Sequence, residues 1–431
     1  MEIEKDILEK ALDVSKKCLL PTLLEDFDKQ PIDKTDFTRL GQIITENIHL
    51  FLDILLQSKL LDINDDSNKD IIQIQRNIIL IYCEQCEQNM FSCCNDKGIE
   101  TLKELVFKNI QKGTFNDAIF LELIDYYKKS LKSDKWKKEF GAVHGFPTFC
   151  QIMLELKSRL ATKDLALFML SVGSNLTYHY ELFIKTLGLK VYKHILDFGR
   201  KDTLIKELNI HQAIYTETIP LIQRSNEDDL FNRYIYDCLY NIVIIDESLK
   251  TSSSKWSKYD DIMSKLLTHF GFVSDLEISK FLVYQIAKFC SIGMNLGELQ
   301  DLDKLDMDDH QYFIKLKTES DASTRRPFRW TKAVMETVIR ESTRFITKVD
   351  DSMFFLYTLN IISILIGPQT EEFNDITMKL IIILMKFLQV HKSEKRIADL
   401  VLCILKTIGS QSTDKNVINA VEKLCKHSVF L

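Results

Sequence analysis

Residues 42–56 read Gln-Ile-Ile-Thr-Glu-Asn-Ile-His-Leu-Phe-Leu-Asp-Ile-Leu-Leu, and their apolar positions follow the period of an α-helix. One apolar stripe recurs at steps of three and four residues, while Glu46, Asn47 and Asp53 lie on the other side. A polar stretch at 62–70 then ends the helix. The members of the stripe are Ile44, Ile48, Phe51, Leu52, Leu55 and Leu56. This segment predicts an amphipathic helix that buries one face.

The same spacing recurs along the chain, as at 3–19 and 334–349, whereas the alternation typical of strands is scarce. The 431 residues include 13 Gly and 6 Pro. These two residue types make up about 12% of an average protein, so both are scarce in this chain. Turn-rich β-sandwiches, glycine-rich phosphate loops and collagen all need the residues that are scarce here. We therefore expect an all-α protein, an α-solenoid of HEAT/armadillo-like helix pairs with roughly twenty helices at about 40 residues per pair.

Two interruptions suggest how the helices are divided. A lysine-rich stretch at 128–138 separates N-terminal helical repeats at 1–140 from C-terminal HEAT-like repeats at 141–431. An acidic stretch near 301–326 is the longest predicted loop. We predict two repeat domains, the second of which contains the acidic loop.

Charge and cysteine content exclude some classes of function. Lys and Arg number 56 against 62 Asp and Glu, so the net charge of −6 provides no overall cationic surface for nucleic acid or anionic lipid. The 10 cysteines are spread through apolar helical patterns, as expected of free thiols in a reducing compartment. The first residues, Met-Glu-Ile-Glu-Lys, contain no apolar signal core. We expect a cytoplasmic or nuclear protein that binds neither nucleic acid nor membrane.

One uncharged stretch, 352–370, tests this expectation because its length approaches that of a membrane span. Asn360, Ser363, Gly367 and Pro368 interrupt its apolar residues. We therefore predict a helix buried inside the solenoid and not a transmembrane helix.

Four cysteines lie close together in the sequence. Cys83 and Cys86 are three residues apart, and Cys93 and Cys94 follow. Thiolates at such spacing can bind zinc or form a redox pair, but the first two fall inside an apolar helical run where thiols pack as small apolar groups. Phosphate loops, nucleophile elbows and zinc-protease motifs are absent from the sequence. The sequence predicts no catalytic residue, no cofactor and no metal, with a zinc or redox protein as the minor alternative.

Six lysines between residues 128 and 138 are interspersed with Tyr126, Tyr127 and Trp136. Lysines among aromatic rings could line a groove for single-stranded nucleic acid. In an acidic chain we favour a solvated helix end or a docking strip for an acidic partner.

A second candidate surface lies at 325–330, which reads Arg-Arg-Pro-Phe-Arg-Trp. Arg and Trp are side chains that often anchor protein interfaces. Arg326, Arg329 and Trp330 are therefore candidate partner-binding residues at the end of a loop and the start of a helix. The alternative for Trp330 is an ordinary core position in that helix.

A further pattern occupies 174–196, Ser-Asn-Leu-Thr-Tyr-His-Tyr-Glu-Leu-Phe-Ile-Lys-Thr-Leu-Gly-Leu-Lys-Val-Tyr-Lys-His-Ile-Leu. A short turn leads to a lysine, a Gly-Leu pair and an apolar helix that ends His-Ile-Leu. We predict a turn between two helices that pack closely at Gly188, where a larger side chain would separate the backbones. The residues of the pattern are His179, Lys185, Gly188, Leu189 and His194.

This stretch resembles the Tel-two-interacting protein two family, the smallest, helical-repeat subunit of the Triple T cochaperone complex. A weaker likeness lies at 256–267, Trp-Ser-Lys-Tyr-Asp-Asp-Ile-Met-Ser-Lys-Leu-Leu, a helix start of the kind that this family has before its C-terminal repeats. Trp256 and Tyr259 of this second stretch join the candidate partner-binding residues.

The resemblance implies a scaffold without catalysis. By family, the partners are the Tel-two protein and a larger HEAT-repeat Tel-two-interacting subunit, and indirectly the ninety-kilodalton heat-shock chaperone with its RuvB-like cochaperones. The clients are the giant phosphatidylinositol-3-kinase-related kinases, which the complex helps to fold, assemble and remain abundant. The alternative is another HEAT/armadillo-type adaptor, such as a transport or cytoskeletal scaffold.

Overall fold

A computed structural model describes the backbone of most of the chain. The described residues are 5–23, 25–26, 29, 34–58, 60, 68–86, 96–132, 134–224, 229–246, 256–293, 329–346, 352–366, 374–391 and 394–427. These residues contain helices and turns but no strand. The predicted acidic loop at 301–326, and Arg326 with it, lies outside the described residues.

The described part of the chain contains 18 α-helices, which confirms the all-α fold of roughly twenty helices. The helices that precede residue 220 are α1 (Lys5–Lys17), α2 (Lys34–Ser58), α3 (Lys69–Gln85), α4 (Asp96–Lys112), α5 (Asp117–Leu131), α6 (Phe140–Leu156), α7 (Lys163–Thr177), α8 (Leu182–Gly199), α9 (Leu204–Glu207) and α10 (Ile210–Thr218). The later helices are α11 (Asp229–Asp246), α12 (Lys258–Phe272), α13 (Leu276–Gly293), α14 (Thr331–Phe345), α15 (Ser352–Leu365), α16 (Asn374–Val390), α17 (Lys395–Gln411) and α18 (Lys415–His427). Short 3₁₀ turns lie at Asp134–Lys138, Ser158–Leu160 and Ile219–Arg224.

Contacts within the chain divide it into two units, each with its own buried core. The first unit comprises Met1–Thr218 and Arg233–Asp246, and the second comprises Ile219–Asn232 and Glu247–Leu431. The boundary that the sequence suggests at residue 140 falls inside the first unit, where α6 packs against α3.

In both units a helix packs against helices that are close to it in chain order. In the first unit, α8 packs against α7 and α6, and α1 packs against α2 and α3. In the second unit, α13 packs against α12 and α15, and α17 packs against α15, α16 and α18. Helix pairs that stack on their neighbours in this way form the HEAT/armadillo-like type of solenoid. The predicted fold class is therefore confirmed.

Helix α2 shows how closely sequence periodicity predicts burial. Five members of its apolar stripe, Ile44, Ile48, Phe51, Leu52 and Leu55, are buried. The sixth, Leu56, is 67% exposed. Adjacent residues are about 100° apart around the helix axis, and Leu55 lies near the middle of the buried face, so Leu56 falls outside that face.

Within the uncharged stretch 352–370, Ser352–Leu365 form α15, and 367–370 lie outside the described residues. This helix has 14 residues, and every residue from Phe354 to Leu365 is buried. A helix needs about 20 apolar residues to cross a bilayer. None of the helices in the described ranges is long and apolar enough to cross a membrane. The predicted buried helix is confirmed.

Candidate functional site

A capping box forms the N-terminus of α12. Ser257 Oγ accepts a hydrogen bond from the backbone N of Asp260 at 3.3 Å. In return, Asp260 Oδ2 accepts hydrogen bonds from the backbone N and the Oγ of Ser257, both at 2.8 Å. This reciprocal bonding satisfies amides that a helix start leaves without partners. It also fixes the position of the Asp260 carboxylate.

The same carboxylate binds two side chains that immediately precede α14. Trp330 Nε1 donates to Asp260 Oδ1 at 2.8 Å, and Arg329 Nη1 donates to Asp260 Oδ2 at 3.3 Å. The Asp260 side chain is only 7% exposed. A buried carboxylate is costly unless it is paired and hydrogen-bonded, so these donors keep the charge tolerable. Asp260 therefore joins the start of α12 to the start of α14.

Trp256 lies on the outside of this junction. Its ring meets the ring of Trp330 edge to face, with centroids 5.9 Å apart and planes inclined by 68°. Trp256 is 62% exposed, whereas Trp330 is half-buried. We name Trp256, Asp260, Arg329 and Trp330 the tryptophan cluster. It presents an indole ring and a guanidinium on a rigid support, the chemistry of an interface anchor.

Tyr259 requires a correction, because the sequence nominates it as a partner-binding residue and the structure places it in the core. Its side chain is 3% exposed, and its hydroxyl donates to the backbone O of Phe289 at 2.8 Å. Burial raises the pKa of Tyr259 well above its usual value. Tyr259 lies on the buried side of α12, where it holds that helix against α13.

The nominated surface residues come together only in part. Trp256, Arg329 and Trp330 meet in the tryptophan cluster, while Arg326 lies outside the described residues. Sequence reasoning did not identify Asp260, which binds Arg329 and Trp330 directly. The sequence feature that indicates Asp260 is the Ser-x-x-Asp spacing of a capping box. Its second role depends on Trp330, which is 70 residues away in sequence, and helical periodicity contains no information on such pairs.

The resemblance stretch forms the turn and the close contact between α7 and α8 of the first unit. A Cβ atom at Gly188 would lie 2.7 Å from the backbone N of Thr177 and 2.8 Å from the backbone O of Gly173. These backbone atoms cannot move aside unless the two helices separate. Leu189, the next residue, is fully buried. The predicted close packing at Gly188 is confirmed.

His179 organises the turn before α8. Its Nδ1 accepts a hydrogen bond from the backbone N of Glu181 at 3.1 Å. Its ring stacks on Tyr180 with centroids 4.5 Å apart and meets Trp136 edge to face at 6.2 Å. Lys185 is half-buried in the first turn of α8. His179 thus has a structural role in shaping the turn.

His194 lies near the end of α8 and is 7% exposed. Burial, followed by the charges of Lys190 and Lys193, lowers the pKa of His194 to about 3. The imidazole is therefore neutral near pH 7 and packs as part of the core.

The cysteines of α3 are placed as packing residues. Burial raises the pKa of Cys83 well above its usual value, and Cys86 Sγ lies 3.0 Å from Thr148 Oγ1. A thiol with a raised pKa is a poor nucleophile and a poor metal ligand. Within the described ranges, no group of three or more His, Cys, Asp or Glu side chains could hold a metal ion. Cys93 and Cys94 lie outside those ranges.

The amino-acid sequence matches no family model and no curated protein.

Proposed function

We propose that the chain is a non-catalytic scaffold subunit of the Triple T cochaperone complex, which supports the folding, assembly and stability of phosphatidylinositol-3-kinase-related kinases. Its direct partners in this proposal are the Tel-two protein and the larger HEAT-repeat Tel-two-interacting subunit. The ninety-kilodalton heat-shock chaperone acts through that complex. The chain would work in the cytoplasm and the nucleus. The main structural support for the scaffold role is the tryptophan cluster.

The tryptophan cluster suits a protein interface because its anchors are held in place before a partner arrives. Asp260 receives hydrogen bonds from Ser257, Arg329 and Trp330. Association is less costly when interface side chains are already ordered. Trp256 is 62% exposed, and covering an indole of this kind removes a large apolar area from water.

The specific complex is supported by the resemblance at 174–196 and 256–267. The first stretch forms a helix pair in close contact at Gly188, and the second forms the capped start of α12 that supports the tryptophan cluster. The first is thus a core contact between paired helices and the second a helix start, both of which belong to a helical-repeat architecture.

The non-catalytic role is supported by how the ionisable side chains are used. Asp260 bridges two helices, and His194 is buried and neutral. Cys83 is a core thiol, kept protonated by burial. All three side chains are buried, where they contribute to packing.

Co-purification with the two proposed partners tests this function. The tagged full chain is co-expressed with the Tel-two protein and the larger Tel-two-interacting subunit, and recovery of each is measured by quantitative mass spectrometry. We expect wild type to recover both partners and the double variant Trp256→Ala, Arg329→Glu to lose about tenfold or more of that recovery, since central Trp and Arg residues dominate interface energies.

The matched control is Phe272→Ala, Lys379→Glu. It removes another exposed aromatic ring of the second unit, 85% exposed in Phe272, and reverses one exposed lysine, so the net charge changes equally. Circular dichroism verifies that both variants fold. Wild type that recovers neither partner would exclude the Triple T assignment. Equal recovery by both variants would exclude the tryptophan cluster as the anchor.

The second candidate function is another HEAT/armadillo-type adaptor, such as a transport or cytoskeletal scaffold. Stacked helix pairs favour it to the same extent, because helical repeats serve many partners on one architecture. The proteins recovered with the tagged wild-type chain distinguish the two: cargo receptors or cytoskeletal proteins, in place of the Triple T subunits, would identify the alternative.

A further inference from the structure

We propose that the C-terminal end of α5 and the turn between α7 and α8 form a second docking surface, in the first unit, that binds an acidic peptide segment of a partner protein. This surface is separate from the tryptophan cluster, and its test needs none of the Triple T subunits. We name it the lysine–tyrosine surface, and it comprises Lys128, Lys129, Lys132, Tyr178 and Tyr180.

The three lysines and Asp125 line a shallow, open depression at the end of α5. Lys129 and Lys132 are exposed, and Lys128 is half-buried. Among the described residues, none of these lysines forms an ion pair. The three lysines contribute about +3, the helix C-terminus about −0.5 and Asp125 about −1, so the local charge is about +1.5. The local charge is thus positive in a chain whose net charge is −6.

Aromatic rings continue this surface from α5 toward the α7–α8 turn. Trp136 comes after Lys132 in the chain and lies in the 3₁₀ turn Asp134–Lys138. Its ring contacts His179, which stacks on Tyr180. Tyr180 is 58% exposed and Tyr178 is 75% exposed. The positive end of α5 and the exposed phenol rings are therefore connected through the 3₁₀ turn that contains Trp136. Positive charge and phenol rings are the combination that an acidic segment with apolar side chains would recognise.

The ring arrangement favours a peptide over single-stranded nucleic acid. Nucleic-acid grooves use a series of open rings on which successive bases stack. Here Trp136 is half-buried against His179, and Tyr180 stacks on the same histidine. The net charge of −6 also repels a phosphate backbone, whose charge density exceeds that of a peptide with spaced carboxylates.

Fluorescence anisotropy with the purified full chain tests the proposal. The probes are a fluorescein-labelled peptide in which Asp and Glu alternate with Leu and Phe, the same peptide with Asn and Gln, and labelled oligouridine. We expect the acidic peptide to bind about tenfold more tightly than its amide counterpart, and to bind more weakly as salt is added. Lys128→Glu, Lys129→Glu, Lys132→Glu should lower the affinity for the acidic peptide about tenfold or more.

The control variant reverses Lys415, Lys423 and Lys426, three exposed lysines of the second unit, so its net charge changes by the same amount. It should stay within about twofold of wild type. Tyr178→Ala, Tyr180→Ala should weaken binding about fivefold and leave the salt dependence unchanged, because it removes apolar contact and no charge. Circular dichroism verifies that each variant folds.

Three results would overturn the proposal. They are equal binding of the acidic and amide peptides, an equal loss of affinity in both lysine variants, and tighter binding of oligouridine than of the acidic peptide. The last result would identify the surface as a nucleic-acid site.

Discussion

Glu84 is an acidic side chain in the core of the first unit, on α3. It is 2% exposed, and its Oε2 accepts a hydrogen bond from the backbone N of Leu20 at 2.7 Å. A Cβ atom at Gly141 would lie 2.7 Å from Glu84 Oε1, so α6 covers the carboxyl group closely. Burial outweighs the hydrogen bond and raises the pKa of Glu84 from 4.5 to about 8. The folded chain therefore holds a proton on Glu84 that the unfolded chain releases.

This proton makes stability depend on pH. The stabilising contribution of protonated Glu84 is complete below pH 4.5 and is lost as the pH rises to about 8. His194 acts in the opposite direction, because its pKa is about 3 when folded and 6.5 otherwise, so it removes stability as the pH falls below 6.5. The two effects oppose each other between pH 4.5 and 6.5. The contribution of His194 fades over about one pH unit above 6.5, as the unfolded imidazole loses its proton, so the effect of Glu84 dominates between about pH 7 and 8.

We expect the free energy of unfolding to fall between about pH 7 and 8 in wild type and not to fall in Glu84→Gln. The wild-type slope stays below the one-proton limit of about 1.4 kcal/mol per pH unit, because His194 opposes Glu84 near pH 7 and Glu84 is itself partly ionised near pH 8. Glutamine cannot ionise, and its amide oxygen can still accept the hydrogen bond from Leu20. Urea unfolding followed by circular dichroism at a series of pH values measures the slope. Glu122→Gln, at an exposed position, should keep the wild-type slope, and an unchanged slope in Glu84→Gln would refute the explanation.

At the scale of helices, the start of α12 combines two tasks that usually belong to different residues. Asp260 completes the capping box with Ser257, and it also binds Trp330 and Arg329 before α14. Asp275 offers a comparison, because it accepts a hydrogen bond from the backbone N of Ile278 at 3.0 Å at the start of α13 and is exposed. Both are acidic residues at a helix start of the second unit, but only Asp260 bridges to a second helix among the bonds described.

We expect Asp260→Ala to destabilise the second unit by about 2–4 kcal/mol, because it removes the N3 half of the capping box and leaves the indole N–H of Trp330 without its acceptor. Asp275→Ala should cost about 1 kcal/mol, the usual loss for a cap alone. Urea unfolding measures both, and tryptophan emission should shift to longer wavelength only in Asp260→Ala, as Trp330 becomes hydrated. Equal losses and equal emission would show that Asp260 is no more than a cap.

Sequence periodicity predicts the helices but not the tertiary contacts between them. The buried face of α2 and the close packing at Gly188 follow from the spacing of apolar residues and from a glycine between helices. Tyr259 is a surface candidate only through the resemblance at 256–267, and it lies on the apolar side of α12. Aromatic residues are used in cores and in interfaces alike, so residue type does not separate the two places. The bridge from Asp260 to Trp330 depends on tertiary packing over 70 residues, which a local pattern does not encode.

At the scale of the whole molecule, the tryptophans report on the two units separately. Trp136 belongs to the first unit, and Trp256 and Trp330 belong to the second. Circular dichroism, in contrast, reports on the helices of both units. In a chain with Trp136→Phe, fluorescence therefore follows the second unit alone, while the circular dichroism signal still includes the first.

We expect Gly188→Ala to unfold the first unit early and leave the second in place. The added methyl group would meet backbone atoms of α7 at 2.7 and 2.8 Å, which separates α7 from α8 and costs about 1–3 kcal/mol. On the Trp136→Phe background, urea should then produce an early circular dichroism transition, while the midpoint from Trp256 and Trp330 fluorescence stays unchanged. Such a divergence follows if each core is cooperative by itself.

Gly271→Ala in α12 is the matched control. Its added Cβ would meet only the end of the flexible Arg340 side chain, at 3.0 Å, so this substitution should cause little loss. If Gly188→Ala moved the fluorescence and circular dichroism midpoints together, the two cores would unfold as one. In that case a defect at α7–α8 would also weaken the tryptophan cluster. Separate transitions would instead mean that the lysine–tyrosine surface and the tryptophan cluster can be disabled one at a time, which the binding experiments on each surface require.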